Sequence, residues 1–297
     1  LYTNLGAKSL CRTCRMYPRH VEEFENVLKS DFMDTQFYIM FYLIVFLFGI
    51  CIGSFLNVVI IRIPKGESLI KRSSHCMTCG AKIRIIDLIP VFSWLFLRGK
   101  CHSCGEKISP RYPIVESLNG FLYMLVFWVM DFNAESVITC VMFSLLIVVG
   151  FMDWDTLEME PIILAMIFAL SIPSALLTDS LSLKQRIIGA LCISVPFFII
   201  GEVCKYCLPK CREEGIRGIE LGDTLLMFAS GAVIGTQAII VSAFFGIIIA
   251  SVCGLILKMI NGNSKFAFGP YLTIGIAIGT LWGENIADWY INLLTVE

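Results

Sequence analysis

Residues 137–155 read VITCVMFSLLIVVGFMDWD, and this stretch decides the class of fold. Its apolar run from Val137 to Met152 carries no charge and ends directly on Asp153. Such a run is typical of a helix that crosses a lipid bilayer, where every backbone group must be hydrogen-bonded within the segment. An acidic residue at the edge of a bilayer-spanning helix is costly, so Asp153 is a functional candidate by default.

Similar runs occur along the whole chain, which has 297 residues, 57% of them hydrophobic, and a mean hydropathy of +0.79. Soluble globular domains carry more charge and less apolar content, so the composition excludes that class. The run from Thr224 to Leu257 is too long for a single span of about 20 residues, and we expect it to fold back near Gly235-Thr236-Gln237. The sequence predicts an all-α polytopic membrane protein with about eight transmembrane helices. The apolar runs are Phe37 to Ile61, Ile114 to Met130, Val137 to Met152, Ile162 to Leu177, Ile187 to Val203, Thr224 to Leu257 and Tyr271 to Gly283.

The distribution of charge gives the orientation of these spans. The segment 62–111 holds ten Lys or Arg residues against three acidic ones. Loops rich in Lys and Arg stay on the cytoplasmic side of a membrane, so we expect this loop to be cytoplasmic. Alternation of the later spans then places Asp153 and Asp223 on the cytoplasmic side as well.

The same pattern predicts how the chain is divided. Residues 1–32 are polar, and we expect them to form an N-terminal extension outside the fold. The first span then covers 33–61 and the cytoplasmic loop 62–112. The remaining residues, 113–297, form the membrane core.

Four of the thirteen cysteines form two Cys-x-x-Cys pairs in the basic loop, Cys76 with Cys79 and Cys101 with Cys104. Each pair is followed by a glycine, which lets the backbone turn beneath a metal ion. Thiols are expected to be reduced in the cytoplasm, so a disulfide framework is disfavoured. Two such pairs predict a zinc-ribbon-like site in which four thiolates hold a structural Zn²⁺ with no open coordination position.

Asp153 and Asp223 each lie where an apolar run meets a polar segment. Two close carboxyl groups do not both ionise cheaply, so one holds a proton while the other activates water for attack on a peptide carbonyl. The pair therefore predicts an aspartyl protease site. Asp155 is the main rival to Asp153, but two residues along a helix separate side chains by about 200°, which favours Asp153 as the partner of Asp223.

Several motifs together resemble the type IV prepilin peptidases, also called prepilin leader peptidases, which belong to the membrane aspartyl proteases with a GxGD-type motif. The resemblance covers about residues 41–282. The motifs are GSFLNVVIIRIP at 53–64, IPVFSWL at 89–95, RGKC at 98–101, ISPRYPIVE at 108–116, the segments around Asp153 and Asp223, and FGPYL at 268–272.

This resemblance implies that Asp153 and Asp223 are the catalytic pair and that the substrate is a prepilin or pseudopilin. Its basic leader would be cut at the cytoplasmic face of the bacterial cell membrane, in which this protein would be a multi-pass component. The resemblance also implies N-methylation of the new N-terminus with S-adenosyl-L-methionine, because the large cysteine-bearing loop resembles that of members with both activities. The expected partners are prepilins and the lipid bilayer, and no nucleic acid.

The chain departs from the family pattern Gly-x-Gly-Asp-x-Lys at two positions. Glu220 stands in place of the first glycine and Leu225 in place of the lysine. If Glu220 points inward, a third carboxyl group lies near the pair and raises its proton affinity. These departures leave an alternative open, in which the protein is a divergent, non-catalytic member that binds prepilins or assists their assembly.

Overall fold

The structure is a computed structural model that describes residues 17–70, 74–178, 180–207, 219–261 and 267–295. Side chains are described from residue 36 onward, except those of Cys207 and Asn261. In these residues the only β pairing consists of two isolated bridges, His75 with Lys82 and Lys100 with Lys107. The helices are α1 (Tyr17–Arg62), α2 (Phe92–Phe96), α3 (Arg111–Met130), α4 (Ala134–Thr156), α5 (Pro161–Ala169), α6 (Ser171–Leu177), α7 (Leu183–Cys207), α8 (Leu221–Asn261) and α9 (Gly269–Thr295), with one 3-10 turn at Ile86–Leu88.

Length and apolar composition qualify five of the described helices to cross a membrane. They are Gln36–Arg62, Arg111–Met130, Ala134–Thr156, Leu183–Tyr206 and Leu221–Ile260, and a shorter apolar segment covers Pro161–Leu177. The all-α membrane fold is therefore confirmed, with the cysteine-bearing loop between the first two spans. The number of eight spans stays a prediction.

The N-terminal segment is helical further upstream than the first predicted span. Helix α1 begins at Tyr17, whereas the apolar run within it begins at Phe37. The first half of the predicted extension, residues 1–16, lies outside the described residues. The chain divides into two units, residues 1–47 and residues 48–297, and all the site residues below belong to the second unit.

Helix α4 carries the centre of the core, and most of its side chains are buried. Its start is fixed by a capping box, in which Asn133 Oδ1 accepts the Ser136 N–H at 2.8 Å and Ser136 Oγ accepts the Asn133 N–H at 3.1 Å. Ser144 donates to Asn119 Oδ1 of α3 at 2.8 Å. Inside a lipid bilayer the hydrophobic effect does not drive helices together, so hydrogen bonds between polar side chains help to hold them. The helix that carries Asp153 in its last turn is therefore held in a defined position.

Helix α8 is broken at Gly235, the first residue of the segment where the apolar run was expected to fold back. Gly235 has φ 81° and ψ −176°, a backbone conformation that glycine adopts without a steric penalty. The break leaves carbonyl groups of the preceding turn without helical partners. Arg186 of α7 donates to two of them, Val233 O at 3.3 Å and Ala232 O at 3.4 Å. This buried cation therefore stabilises the end of the first half of α8.

Helices α8 and α9 pack through small residues, which let their backbones approach closely. A Cβ atom added at Gly275 would lie 2.6 Å from the backbone nitrogen of Gly246 and 2.7 Å from its Cα atom. We therefore expect Gly275→Val to destabilise the protein by about 1–3 kcal/mol through overpacking. Ile274→Val, on an exposed face of the same helix, is the matched control. Thermal unfolding of the purified protein in detergent measures both, and an unchanged midpoint for Gly275→Val would contradict the packing.

Candidate active site and metal cluster

Asp153 lies in the last turn of α4 and is buried, with 4% of its surface exposed. Its Oδ2 atom accepts a hydrogen bond from the backbone N–H of Gly269 at 2.8 Å. Gly269 is the first residue of α9, where backbone N–H groups have no partner within the helix. A Cβ at Gly269 would lie 2.8 Å from the same carboxyl oxygen. The absence of a side chain at residue 269 therefore allows this contact.

Asp223 is the third residue of α8 and is buried to a similar extent, with 3% of its surface exposed. Its Oδ2 atom accepts the backbone N–H of Glu220 at 3.3 Å. This contact is one half of a capping box, in which an acidic side chain reaches back to the N-terminus of its own helix. The other oxygen, Oδ1, is buried without a hydrogen-bond partner among the described residues. A buried carboxyl oxygen without a partner is unusual and is often found where water or a substrate is bound.

The fold brings these two aspartates to the same group of helix ends. Met159, in the connection between α4 and α5, lies against both neighbouring glycines. A Cβ at Gly222 would be 3.1 Å from the Met159 Cβ, and one at Gly269 would clash with the Met159 methyl group. The two carboxyl groups are close enough to interact electrostatically. The space beside Gly222 is thus taken by the Met159 side chain.

Asp155, the alternative partner for Asp223 in the sequence, contacts a different helix from Asp153. It is exposed and forms an ion pair with Arg111 at the start of α3. The guanidinium group of Arg111 also lies over the ring of Phe151, 5.3 Å from its centre. Asp155 therefore connects α4 to α3, while Asp153, two residues earlier, contacts α9.

The two residues that depart from the family pattern, Glu220 and Leu225, are both exposed. The Glu220 side chain is exposed, and the residue's contact with Asp223 is made by its backbone N–H. Every residue except proline offers that donor, so a change from glycine to glutamate preserves it. Leu225 is 38% exposed.

The four loop cysteines come together as the sequence predicted. One ligand atom from each of Cys76, Cys79, Cys101 and Cys104 lies within 4.8 Å of all the others, and the sulfur atoms of Cys76 and Cys104 are 3.9 Å apart. A tetrahedral zinc site with Zn–S bonds of about 2.3 Å needs sulfur atoms roughly 3.8 Å apart. Hydrogen bonds from the backbone N–H groups of Cys79 and Thr78 lower the pKa of the Cys76 thiol to about 6. At Cys104 the backbone N–H of Glu106 lowers the pKa, but burial and hydrogen bonds with the other three cysteines outweigh it and raise the pKa to about 12, so Cys76 is the thiol of this cluster that ionises first. Because the thiolate is the form that binds metals, this cluster is suited to a metal ion.

Three contributions to the site escaped prediction: the Gly269 N–H, the Met159 side chain and the ion pair of Arg111. The motifs containing Gly269 and Arg111 were visible in the sequence. Their contacts were not, because they join residues that are 116 and 44 positions apart.

The long apolar helices define a membrane protein, and the two buried carboxyl groups are a candidate site for hydrolysis. Residues 47–130 match the family model "Bacterial Peptidase A24 N-terminal domain", and residues 140–257 match "Type IV leader peptidase family". The chain is 31% identical over 286 residues to the "Prepilin leader peptidase/N-methyltransferase" of Aeromonas hydrophila, covering 85% of this chain and 94% of that protein.

Two further relatives are similar over most of their length. The protein of the same description from Neisseria gonorrhoeae is 31% identical over 76% of this chain and 85% of its own length. The "Type 4 prepilin-like proteins leader peptide-processing enzyme" of Escherichia coli O78:H11 is 32% identical over 79% of this chain and 91% of its own length. No solved structure matches the chain significantly. The chain belongs to the type IV leader peptidase family, a family of membrane proteases.

Proposed function

We propose that this protein removes the basic leader peptide of type IV prepilins or pseudopilins by means of Asp153 and Asp223. The observation that carries the proposal is the buried Asp223 Oδ1 atom, which has no partner among the described residues and belongs to a carboxyl group that interacts with Asp153. Relatives described as prepilin leader peptidases support the choice of substrate.

The hydrogen bonds give the carboxyl oxygens different roles. A backbone N–H only donates, so the Oδ2 atoms of Asp153 and Asp223 both act as acceptors. The Oδ1 atom of Asp223 is left to hold the shared proton or the attacking water. One carboxylate then takes a proton from water as the oxygen attacks the scissile carbonyl, and the protonated partner supports the developing oxyanion.

The position of the site fits a substrate that is half membrane-embedded. A basic leader is unfavourable inside the bilayer because its Lys and Arg side chains are charged, so it stays on the cytoplasmic side. The apolar segment that follows it stays in the membrane. The scissile bond is then presented at the interface. Asp153 and Asp223 lie at helix ends, and we place these ends at the cytoplasmic face of the bacterial cell membrane because the basic loop joins the first two spans.

In the loop, Cys76, Cys79, Cys101 and Cys104 would hold a structural Zn²⁺. Four thiolates fill a tetrahedral coordination sphere, so this ion would stabilise the loop and take no part in peptide cleavage.

We further propose that the new N-terminal amine is methylated, as the names of the relatives indicate for those proteins. S-adenosyl-L-methionine would supply the methyl group: the amine lone pair forms the N–CH₃ bond, the S–CH₃ bond electrons remain on sulfur, and the amine loses one proton.

Co-expression with a candidate prepilin tests both activities. We expect loss of the leader in the presence of this protein, and an N-terminal mass that includes one methyl group. Cleavage without addition of a methyl group would show that the protein is a peptidase without methyltransferase activity. Prepilin that is bound but never cleaved by the purified protein would overturn the proposal in favour of a non-catalytic prepilin-binding protein.

A further inference from the structure

The cysteine-bearing loop presents an apolar surface on residues 85–96. This segment contains the 3-10 turn Ile86–Leu88 and helix α2, which contact each other. Ile85 is 87% exposed and Phe96 is 85% exposed. Exposed apolar patches rimmed by polar residues mark sites that contact another protein or a membrane. The other exposed apolar side chains of the segment are those of Ile86, Leu88, Ile89, Phe92 and Leu95.

The opposite face of the segment packs against the rest of the loop. The Trp94 Nε1–H group donates to Ile108 O at 3.1 Å. A Cβ atom at Gly99 would lie 2.9 Å from the Trp94 ring, so the ring lies directly on the backbone there. These contacts fix which face of α2 is turned inward, and they leave Leu95 and Phe96 on the outer surface.

A hydrogen bond holds the segment at the level of the membrane-spanning helices. The Val91 N–H donates to Glu116 Oε2 at 2.7 Å. Glu116 lies five residues beyond Arg111, the first residue of α3, which is about 7.5 Å along the helix axis. A Cβ atom at Gly53 of α1 would lie 2.7 Å from the Glu116 Cα atom, and Gly53 lies inside the apolar run from Phe37 to Ile61. The loop therefore returns to a level at which both neighbouring helices span the bilayer.

This level agrees with the depth at which apolar segments lie in a membrane interface. Helix α3 has 20 residues, or about 30 Å, which equals the thickness of the hydrocarbon core of a bilayer. A group about 7.5 Å from the start of α3 lies near the boundary between headgroups and acyl chains. Amphipathic helices at an interface bury their apolar faces about 5–10 Å into that boundary. The side chains next to Val91 are thus at the depth where lipid would cover them.

Basic residues flank the segment on both sides. Lys82 precedes it, Arg98 and Lys100 follow it, and all three are exposed. In the described part of the chain none of these three side chains forms an ion pair. The one acidic residue of the segment, Asp87, is paired with Arg84 at 2.8 Å. The surroundings of the apolar surface are therefore positively charged, and anionic lipid headgroups attract basic residues of this kind.

We propose that residues 85–96 insert into the bilayer interface, in the leaflet where α1 ends and α3 begins. Lys82, Arg98 and Lys100 then lie among anionic headgroups, and the exposed apolar side chains lie among the upper parts of the acyl chains. The hydrogen bond to Glu116 favours the bilayer over a protein as the partner, because it holds the segment at membrane level. The contact fixes the cysteine-bearing loop against the membrane and is independent of the proposed peptidase activity.

Photo-crosslinking from residue 96 tests the inference. The full-length protein with p-benzoylphenylalanine in place of Phe96 is reconstituted in nanodiscs of phosphatidylglycerol and phosphatidylethanolamine and irradiated. Lipid adducts are then measured by mass spectrometry. The matched control carries the same probe in place of Met77, an exposed apolar residue of the same loop. We expect at least about five times more lipid adduct at residue 96 than at residue 77, because the probe at residue 96 inserts.

The basic residues are tested in the same nanodiscs. Adding Arg98→Gln and Lys100→Gln to the protein with the probe at residue 96 should lower the yield of lipid adduct at least about twofold, because two attractions to anionic headgroups are lost. An unchanged yield would overturn the role of these two residues.

The remaining outcomes decide the partner. A probe at residue 96 that gives no more lipid adduct than the probe at residue 77 overturns the membrane contact. In isolated cell membranes the probe should again label lipid, and a predominant adduct with another protein or with a second copy of this chain would overturn the choice of the bilayer. Should the probe variants fail to fold, hydrogen exchange of the wild type decides. Residues 85–96 should exchange at least about threefold more slowly in nanodiscs with phosphatidylglycerol than in nanodiscs of phosphatidylcholine alone, and equal rates would contradict insertion driven by anionic lipid.

Discussion

Replacing Asp223 with Asn is expected to lower the rate of prepilin leader removal by at least about a thousandfold, and Asp153→Asn should have a similar effect. Asn has nearly the shape of Asp, but it neither takes a proton from water nor donates an acidic one, and proton transfer of this kind contributes about a hundredfold to ten-thousandfold. The oxygen that accepts the backbone N–H of Gly269 or Glu220 is retained in each variant. Leader loss is measured by mass spectrometry on purified protein with a prepilin substrate.

Asp155→Asn is the matched control because the same chemical change is made two residues away. Its carboxyl group is partly exposed and paired with Arg111, and such pairs contribute about 0–1 kcal/mol. We expect this variant to keep cleavage within about tenfold of the wild type. Both buried variants should keep or raise the thermal midpoint, since a neutral amide is easier to bury than a carboxylate. Cleavage by Asp153→Asn at the level of Asp155→Asn would contradict the proposed pair.

The membrane helices could be predicted from the sequence because a bilayer demands apolar runs of a set length. A fold-back near Gly235-Thr236-Gln237 was predicted for the same reason, since a run from Thr224 to Leu257 exceeds the length of one span. The structure shows a break of the helix at Gly235. The upstream start of α1 at Tyr17 was not predicted. Polar residues form helices as readily as apolar ones, so hydropathy contains no signal for that segment.

The two aspartates could be singled out because acids are rare and costly at the edge of a membrane span. The groups that surround these two aspartates could not be predicted from the sequence. The Gly269 N–H is a backbone group, which every residue except proline possesses, and only the packing of α9 against α4 directs it at Asp153.

The cysteine cluster was predicted most completely, because its geometry is largely local. The two pairs form the same turn, in which the backbone N–H of Gly80 bonds to Cys76 O and that of Gly105 to Cys101 O, both at 2.9 Å. Both glycines have positive φ, 70° and 72°, which a residue with a side chain rarely adopts. Each Cys-x-x-Cys-Gly segment therefore specifies its own half of the site.

Replacing Cys101 with Ser is expected to lower the bound metal from about one equivalent to below about a tenth, because a hydroxyl is a far weaker ligand for zinc than a thiolate. Apparent binding free energies of structural zinc sites in peptides are about 10–16 kcal/mol, and in such domains this energy drives folding. The loop should consequently become open to proteolysis, while the membrane helices keep their fold. Cys51→Ser, in the apolar part of α1 and distant in sequence from the loop, is the matched control and should retain the metal. Elemental analysis together with limited proteolysis measures both effects. A Cys101→Ser protein that keeps its metal and a protease-resistant loop would show that the four sulfur atoms do not form a single site.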